Sequence, residues 1–192
     1  MPTPNPEALK FLLLRRSCPG KTLQAPVPSA DELSGIMTAA LRVPDHGKLE
    51  PWRLIVLREP ALKRLADLAQ SRGDALAIEP GKRAKGVAQY RDGVLAVAVI
   101  ASPMASEKVP EIEQLYSAGA VCLSLLNAAL ASGWGANWLS GWASHDQEFV
   151  TQGLGLAGGE TIAGLIFLGT ERNPPPERPR PDIAQKITWK SV

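Results

Sequence analysis

Glu111–Ser132 constrains this chain more than any other stretch. Its apolar spacing and length predict a helix, and Gly133 ends it. The middle, Ala118-Gly119-Ala120-Val121-Cys122, is small or apolar on every side. A helix without a polar face must be buried all round, inside the fold or against a second subunit. Two further segments demand burial. Val94–Ala101 is continuously apolar and rich in valine, and is short enough for a central strand covered on both faces. Thr161–Leu168 has the same character.

The remaining pattern mixes helices with short strands. Pro6–Arg16 reads as a helix with Leu9, Leu12 and Leu13 on one face, its two arginines in the last turn, and Cys18-Pro19-Gly20 as the stop. Ser29 with Glu32 forms a capping box for a second helix, which ends at Pro44. Trp52–Leu57 is strand-like, and Ala61–Ala77 and Gly81–Arg91 are helical. Gly133–Trp142 reads as a Gly/Trp-rich turn, and Ser144 with Gln147 as the cap of a short helix. Asn173–Pro181 is proline-dense and extended, and Ile187-Thr188-Trp189 resembles a small strand suited to pairing with another subunit. The 192 residues suit one α/β or α+β layered domain spanning 1–192, with a Pro-rich extension over 171–192.

Composition excludes several classes. With 21 basic against 19 acidic residues, little favours nucleic acid or an anionic membrane as partner. The first seven residues carry no signal-peptide core, and Val94–Ala101 and Val121–Ala131 fall short of a membrane span, so a soluble, cytoplasmic chain is expected. Two cysteines cannot frame a disulfide scaffold or a thiolate metal site. Cys122 belongs to an apolar helix, while Cys18 has room to be exposed and no partner for a nucleophilic dyad. Two histidines without ligand spacing predict no metal, and there is no P-loop or Gly-x-Ser-x-Gly elbow. Glu111 and Glu113 do not share a helical face and read as solvated. Gly153-Leu154-Gly155-Leu156-Ala157-Gly158 matches the glycines of a dinucleotide fingerprint, but it follows a helix and precedes a strand. The fingerprint needs the reverse order, so a helix-to-strand turn is expected, with an NAD-binding site as the rival.

Three features carry potential chemistry. Arg15-Arg16-Ser17 offers two guanidinium groups and a hydroxyl to one phosphate, although arginines at a helix end can equally compensate its dipole. Arg42-Val43-Pro44-Asp45-His46, followed by Glu50-Pro51-Trp52, places a cation and an imidazole in a loop before a strand. Such loops carry binding groups or are simply polar surface. Gly133–Trp142 holds three tryptophans separated by glycines, which suits a planar aromatic ligand or a core anchor.

In this order, Arg15–Ser17, the Arg-x-Pro-Asp-His turn, Pro51-Trp52, Ser117-Ala118-Gly119-Ala120, Trp138-Leu139-Ser140-Gly141 and Leu168-Gly169-Thr170 resemble the nitroreductase-like flavoproteins, in particular their small single-domain members. The resemblance runs from about Ala8 to Thr170. It implies an α+β fold with a central mixed sheet flanked by helices, assembled as an intertwined homodimer with flavin mononucleotide (FMN) at the interface. It implies that Arg15, Arg16 and Ser17 hold the phosphate and ribityl chain, and that Arg42 and His46 come from the second subunit. Trp138, Leu139 and Ser140 would lie along the flavin by backbone contact. NADH or NADPH would approach near Ala128–Gly133, and hydride would pass on to a small electron-poor acceptor such as a nitroaromatic or quinone. No side-chain nucleophile or acid is required, so no catalytic residue is assigned. A non-catalytic FMN carrier or sensor would use the same binding residues. Pro19, Glu50 and Leu139 depart from the family pattern at positions that bear on flavin tuning.

Overall fold

A computed structural model describes residues 3–191. The helices are α1 (Pro6–Leu14), α2 (Ala30–Ala40), α3 (Glu59–Ala75), α4 (Pro80–Arg91), α5 (Glu111–Ala131), α6 (Gln147–Leu154) and α7 (Ile183–Lys186). The strands are β1 (Leu23–Gln24), β2 (Trp52–Arg58), β3 (Leu95–Ala101), β4 (Gly135–Leu139) and β5 (Thr161–Glu171). The expected α+β fold is what the chain adopts.

β3 is buried at every position, as its composition predicts. Its alternating side chains divide the core in two. Leu95, Val97 and Val99 join Leu33, Ile36, Val121 and Leu125 under α2 and α5. Ala96, Ala98 and Ile100 join Leu62, Leu65, Tyr90 and Phe149 under α3, α4 and α6. The result is one sheet between two helical layers.

β5 is the hub of that sheet, pairing with β1, β3 and β4, while β2 pairs with β3. Every described pairing is antiparallel, which corrects the mixed sheet expected from the resemblance. The cause lies in the connections. Two packed helices, α3 and α4, link β2 to β3 and return the chain in the opposite sense. The single helix α5 leaves β3 and β4 running the same way, but both pair with β5 rather than with each other.

α5 is long and apolar enough to cross a membrane by length and composition alone. Its inner face, however, lies in the core, with Val121, Cys122, Leu125 and Ala129 fully enclosed. Its outer face leaves Ile112, Tyr116 and Leu123 open, so a single chain does not bury it all round. α1 buries no residue, and Leu9, Leu12, Leu13 and Leu14 are exposed.

Other local expectations differ in instructive ways. α2 carries the capping box of Ser29 and Glu32. α6 is capped by Asp146, whose side chain accepts from the Phe149 N–H, and Ser144 lies in the preceding 3-10 turn. Gly155 closes α6 in the left-handed conformation at φ 66°, so the glycine-rich run is the helix-to-strand turn that its context indicated. Ile187–Trp189 is not a strand: it pairs with no strand among the described residues, and Trp189 is 86% exposed.

One ion pair ties β2 to the turn before β5. Arg53 donates through Nε and Nη2 to Glu160, at 2.7 Å each, and the Ala157 N–H adds a third bond. The guanidinium holds the Glu160 carboxyl at about 2, against an ordinary value of 4.5. Between these values the unfolded chain takes up a proton that the folded chain refuses. The pair's contribution is therefore complete above pH 4.5 and lost as pH falls towards 2. Glu160→Gln should cost about 1–3 kcal/mol at pH 7. That gap should close on acidification, as read by urea unfolding at a series of pH values. A gap independent of pH would refute the assignment.

Candidate functional site

Local structure sets Arg15–Ser17 just past α1, not within its last turn. Arg15 is the C-cap, with extended backbone (φ −58°, ψ 140°), and its N–H bonds the Phe11 carbonyl at 2.8 Å. The chain then runs alongside β4. The Cys18 N–H bonds the Ala136 carbonyl at 2.9 Å, and Gly20 sits so close to Leu139 that an added Cβ would lie 3.0 Å from its side chain. The two segments are thus physically joined. Cys18 is buried rather than exposed, because this junction encloses it. Its thiol donates to Glu171 at 2.9 Å, and burial pushes it up to about 11, so it stays protonated at neutral pH.

Arg15 Nη2 donates to Ser17 Oγ at 3.0 Å, while Arg15 Nε is buried without a hydrogen-bond partner. Arg16 Nη1 donates to the Pro175 carbonyl at 2.7 Å. Together with Pro19 and Pro175–Pro181, these residues line a cavity of about 330 Å³. The tail brings Arg178 and Arg180 to the same cavity, and Arg180 also bonds the Leu13 carbonyl at the end of α1. The sequence marks this tail only as a proline-dense, extended C-terminal extension. The available signal was Glu-Arg-Pro-Arg-Pro, since arginines two apart on an extended chain share a side. Four arginines and an unpaired buried donor fit a phosphate monoester.

The tryptophan-rich segment is β4, not a turn. Trp138 packs its indole over Gly164 of β5, where any Cβ would fall 2.1 Å from Nε1. Leu139 faces a second cavity of about 260 Å³, with Lys21, Lys85, Gln89 and Phe167 among its walls. Ser140 Oγ lies 3.5 Å from His145 Nε2.

Arg42 and His46 stand apart from this group. Arg42 is exposed beyond the end of α2. His46 Nδ1 lies 2.7 Å from Glu113 Oε2, so Glu113 is engaged rather than merely solvated. Ser117 Oγ donates to the Pro44 carbonyl at 2.9 Å and accepts from Trp52 Nε1 at 3.1 Å, fixing the turn against the first half of α5. β4, where Cys18 attaches, begins beyond the last turn of α5. Within one chain Cys18 and Gly20 tie the stretch after Arg15–Ser17 to β4, but Leu139 faces a different cavity from the arginines, and His46 sits by the first half of α5.

A profile described as "Nitroreductase family" matches residues 12–170. The chain belongs to this family. It is 31% identical over 168 residues to "Putative NAD(P)H nitroreductase YdjA" of Escherichia coli (strain K12), covering 85% of this chain and 88% of that protein. It is 33% identical over 167 residues to "Putative NAD(P)H nitroreductase" of Haemophilus influenzae, with the same coverage. The nitroreductase-like family protein from Bacillus cereus shares the fold at a TM-score of 0.81 and 21% identity, over all of both chains. The "putative nitroreductase in complex with fmn" from Desulfovibrio desulfuricans superposes at a TM-score of 0.73 and 20% identity over 99% of each chain. The matched span of the nitroreductase profile takes in Arg15–Ser17, Arg42, His46 and Trp138–Ser140, and stops before the arginines of the tail.

Proposed function

We propose that this chain is an FMN-dependent oxidoreductase that passes hydride from NADH or NADPH to a small electron-poor acceptor, such as a nitroaromatic or quinone. The observation that carries this is the arginine-lined cavity. In a member of the nitroreductase family, Arg15, Arg16 and Ser17 line space for an anion under the proline-rich tail, and Arg15 Nε is left unpaired. The neighbour solved with FMN supports the cofactor, and the names of the relatives support the donor.

FMN, when bound, supplies the ring that accepts and then gives up hydride. The protein's part is binding and orientation. Arg15 and Arg16 neutralise the phosphate, and Ser17 adds a hydroxyl donor. Trp138, Leu139 and Ser140 present a strand backbone along which a planar ring can lie. Gly164 leaves the room that the Trp138 indole occupies, since a Cβ there would lie 2.1 Å from Nε1. Arg42 and His46, which a single chain holds apart from Arg15–Ser17, complete the site from a second copy in a homodimer. The exposed leucines of α1 and the open face of α5 provide apolar surface for that second copy. Donor and acceptor then use the same cleft in turn.

Reconstitution tests this directly. Purified protein incubated with FMN and desalted should retain the yellow flavin absorbance, and NADH or NADPH should bleach it without oxygen. Failure to hold FMN sinks the proposal. Retained flavin that neither donor bleaches would make the chain a carrier or sensor instead.

A further inference from the structure

The tail closes the Arg15–Ser17 cavity with an anion of its own. Among the described residues that line it, Glu177 contributes the only carboxylate, against Arg15, Arg16, Arg178 and Arg180. Its Oε2 lies 3.8 Å from Arg16 Nη1, the nitrogen that also donates to the Pro175 carbonyl at 2.7 Å. Both acceptors therefore crowd one end of the guanidinium. A phosphate reaching that end would meet a carboxylate and a carbonyl oxygen, and such groups repel rather than share. Pro174, Pro175, Pro176, Pro179 and Pro181 fix φ at five positions of the segment and lack N–H donors, and the Arg178 N–H donates to Glu177 Oε1 at 3.2 Å. The strap is held at its other end by Arg180 on the Leu13 carbonyl.

We propose that Glu177 is an internal counter-anion that occupies Arg16 when the cavity is empty, and that cofactor loading displaces it. The tail thereby sets the affinity for the phosphate end of the ligand and leaves the ring end untouched. This rests on the reading that Arg15–Ser17 receive the phosphate of FMN.

Glu177→Gln tests it without disturbing the core, because the Glu177 side chain is 71% exposed. Apo-protein would be titrated with FMN and with riboflavin, which lacks the phosphate, and its melting temperature followed against inorganic phosphate. The variant should bind FMN about two- to five-fold more tightly, the range an exposed ion pair converts to. Riboflavin should bind both proteins alike, and phosphate should raise the melting temperature of the variant more than that of the wild type. Equal stabilisation by phosphate, or weaker FMN binding by the variant, overturns the proposal. If neither protein binds FMN while phosphate still favours the variant, the cofactor assignment falls and the competition at Arg16 stands.

Discussion

Replacing Arg15 and Arg16 together with alanine should weaken FMN binding by about two orders of magnitude, while leaving the fold intact. Each charge-assisted hydrogen bond is worth about 1.5–3 kcal/mol, and losing roughly 3 kcal/mol in total corresponds to about 100-fold. The lower end of that range applies because both side chains are only half-buried. Folding should survive, since α1 buries nothing and the contacts of Arg16 are to the tail. Flavin fluorescence quenching gives the affinity, and riboflavin provides the control, because its weaker binding should barely change. An unchanged FMN affinity would show that the arginines only terminate a helix.

The second large effect concerns stability. Leu125→Ala should cost about 2–5 kcal/mol, the range for removing a large aliphatic side chain from a closed core. Leu125 is fully enclosed between α5 and the sheet, in the cluster with Val97, Val99, Ile166 and Leu168. Leu123, two residues earlier, faces outwards at 48% exposure. Leu123→Ala should therefore leave the intrinsic stability of one chain nearly unchanged and instead shift the equilibrium between one copy and two. Urea unfolding and sedimentation, run on both variants, separate these outcomes. If Leu123→Ala destabilises the single chain as much as Leu125→Ala does, the outer face of α5 is not open.

Segments that must be buried were legible in the sequence. β3 and β5 announce themselves by continuous apolar composition, and α2 by its capping box, because these signals are local. β4 was not legible. Gly135 and the flanking tryptophans look like a turn, and only pairing with β5 makes the segment a strand. The antiparallel order was equally hidden, since it follows from which strand β5 reaches. Of the candidate site, Arg15–Ser17 and Trp138–Ser140 stand out in the sequence as separate segments, and only the Cys18–Ala136 bond reveals that the stretch following the arginines attaches to β4. Arg178, Arg180 and Glu177 escaped because a proline-dense tail gives no periodicity from which to place a side chain. The burial of Cys18 escaped for a related reason. What encloses it lies more than a hundred residues further along the chain.

The position of β5 has a consequence for how the chain is made. Synthesis delivers β1, β2, β3 and β4 first, yet β1 and β4 have their only described partner in β5, and β3 has one free edge until β5 arrives. A nascent chain can assemble β2 with β3 under their helices, but the sheet cannot close until residues 161–171 have left the ribosome. Until then the apolar strand β3 carries an open edge, the kind of template on which chains pair with the wrong neighbour. Slow emergence of the last third of the chain should thus be the dangerous interval in its biosynthesis, and holding chaperones should matter most there.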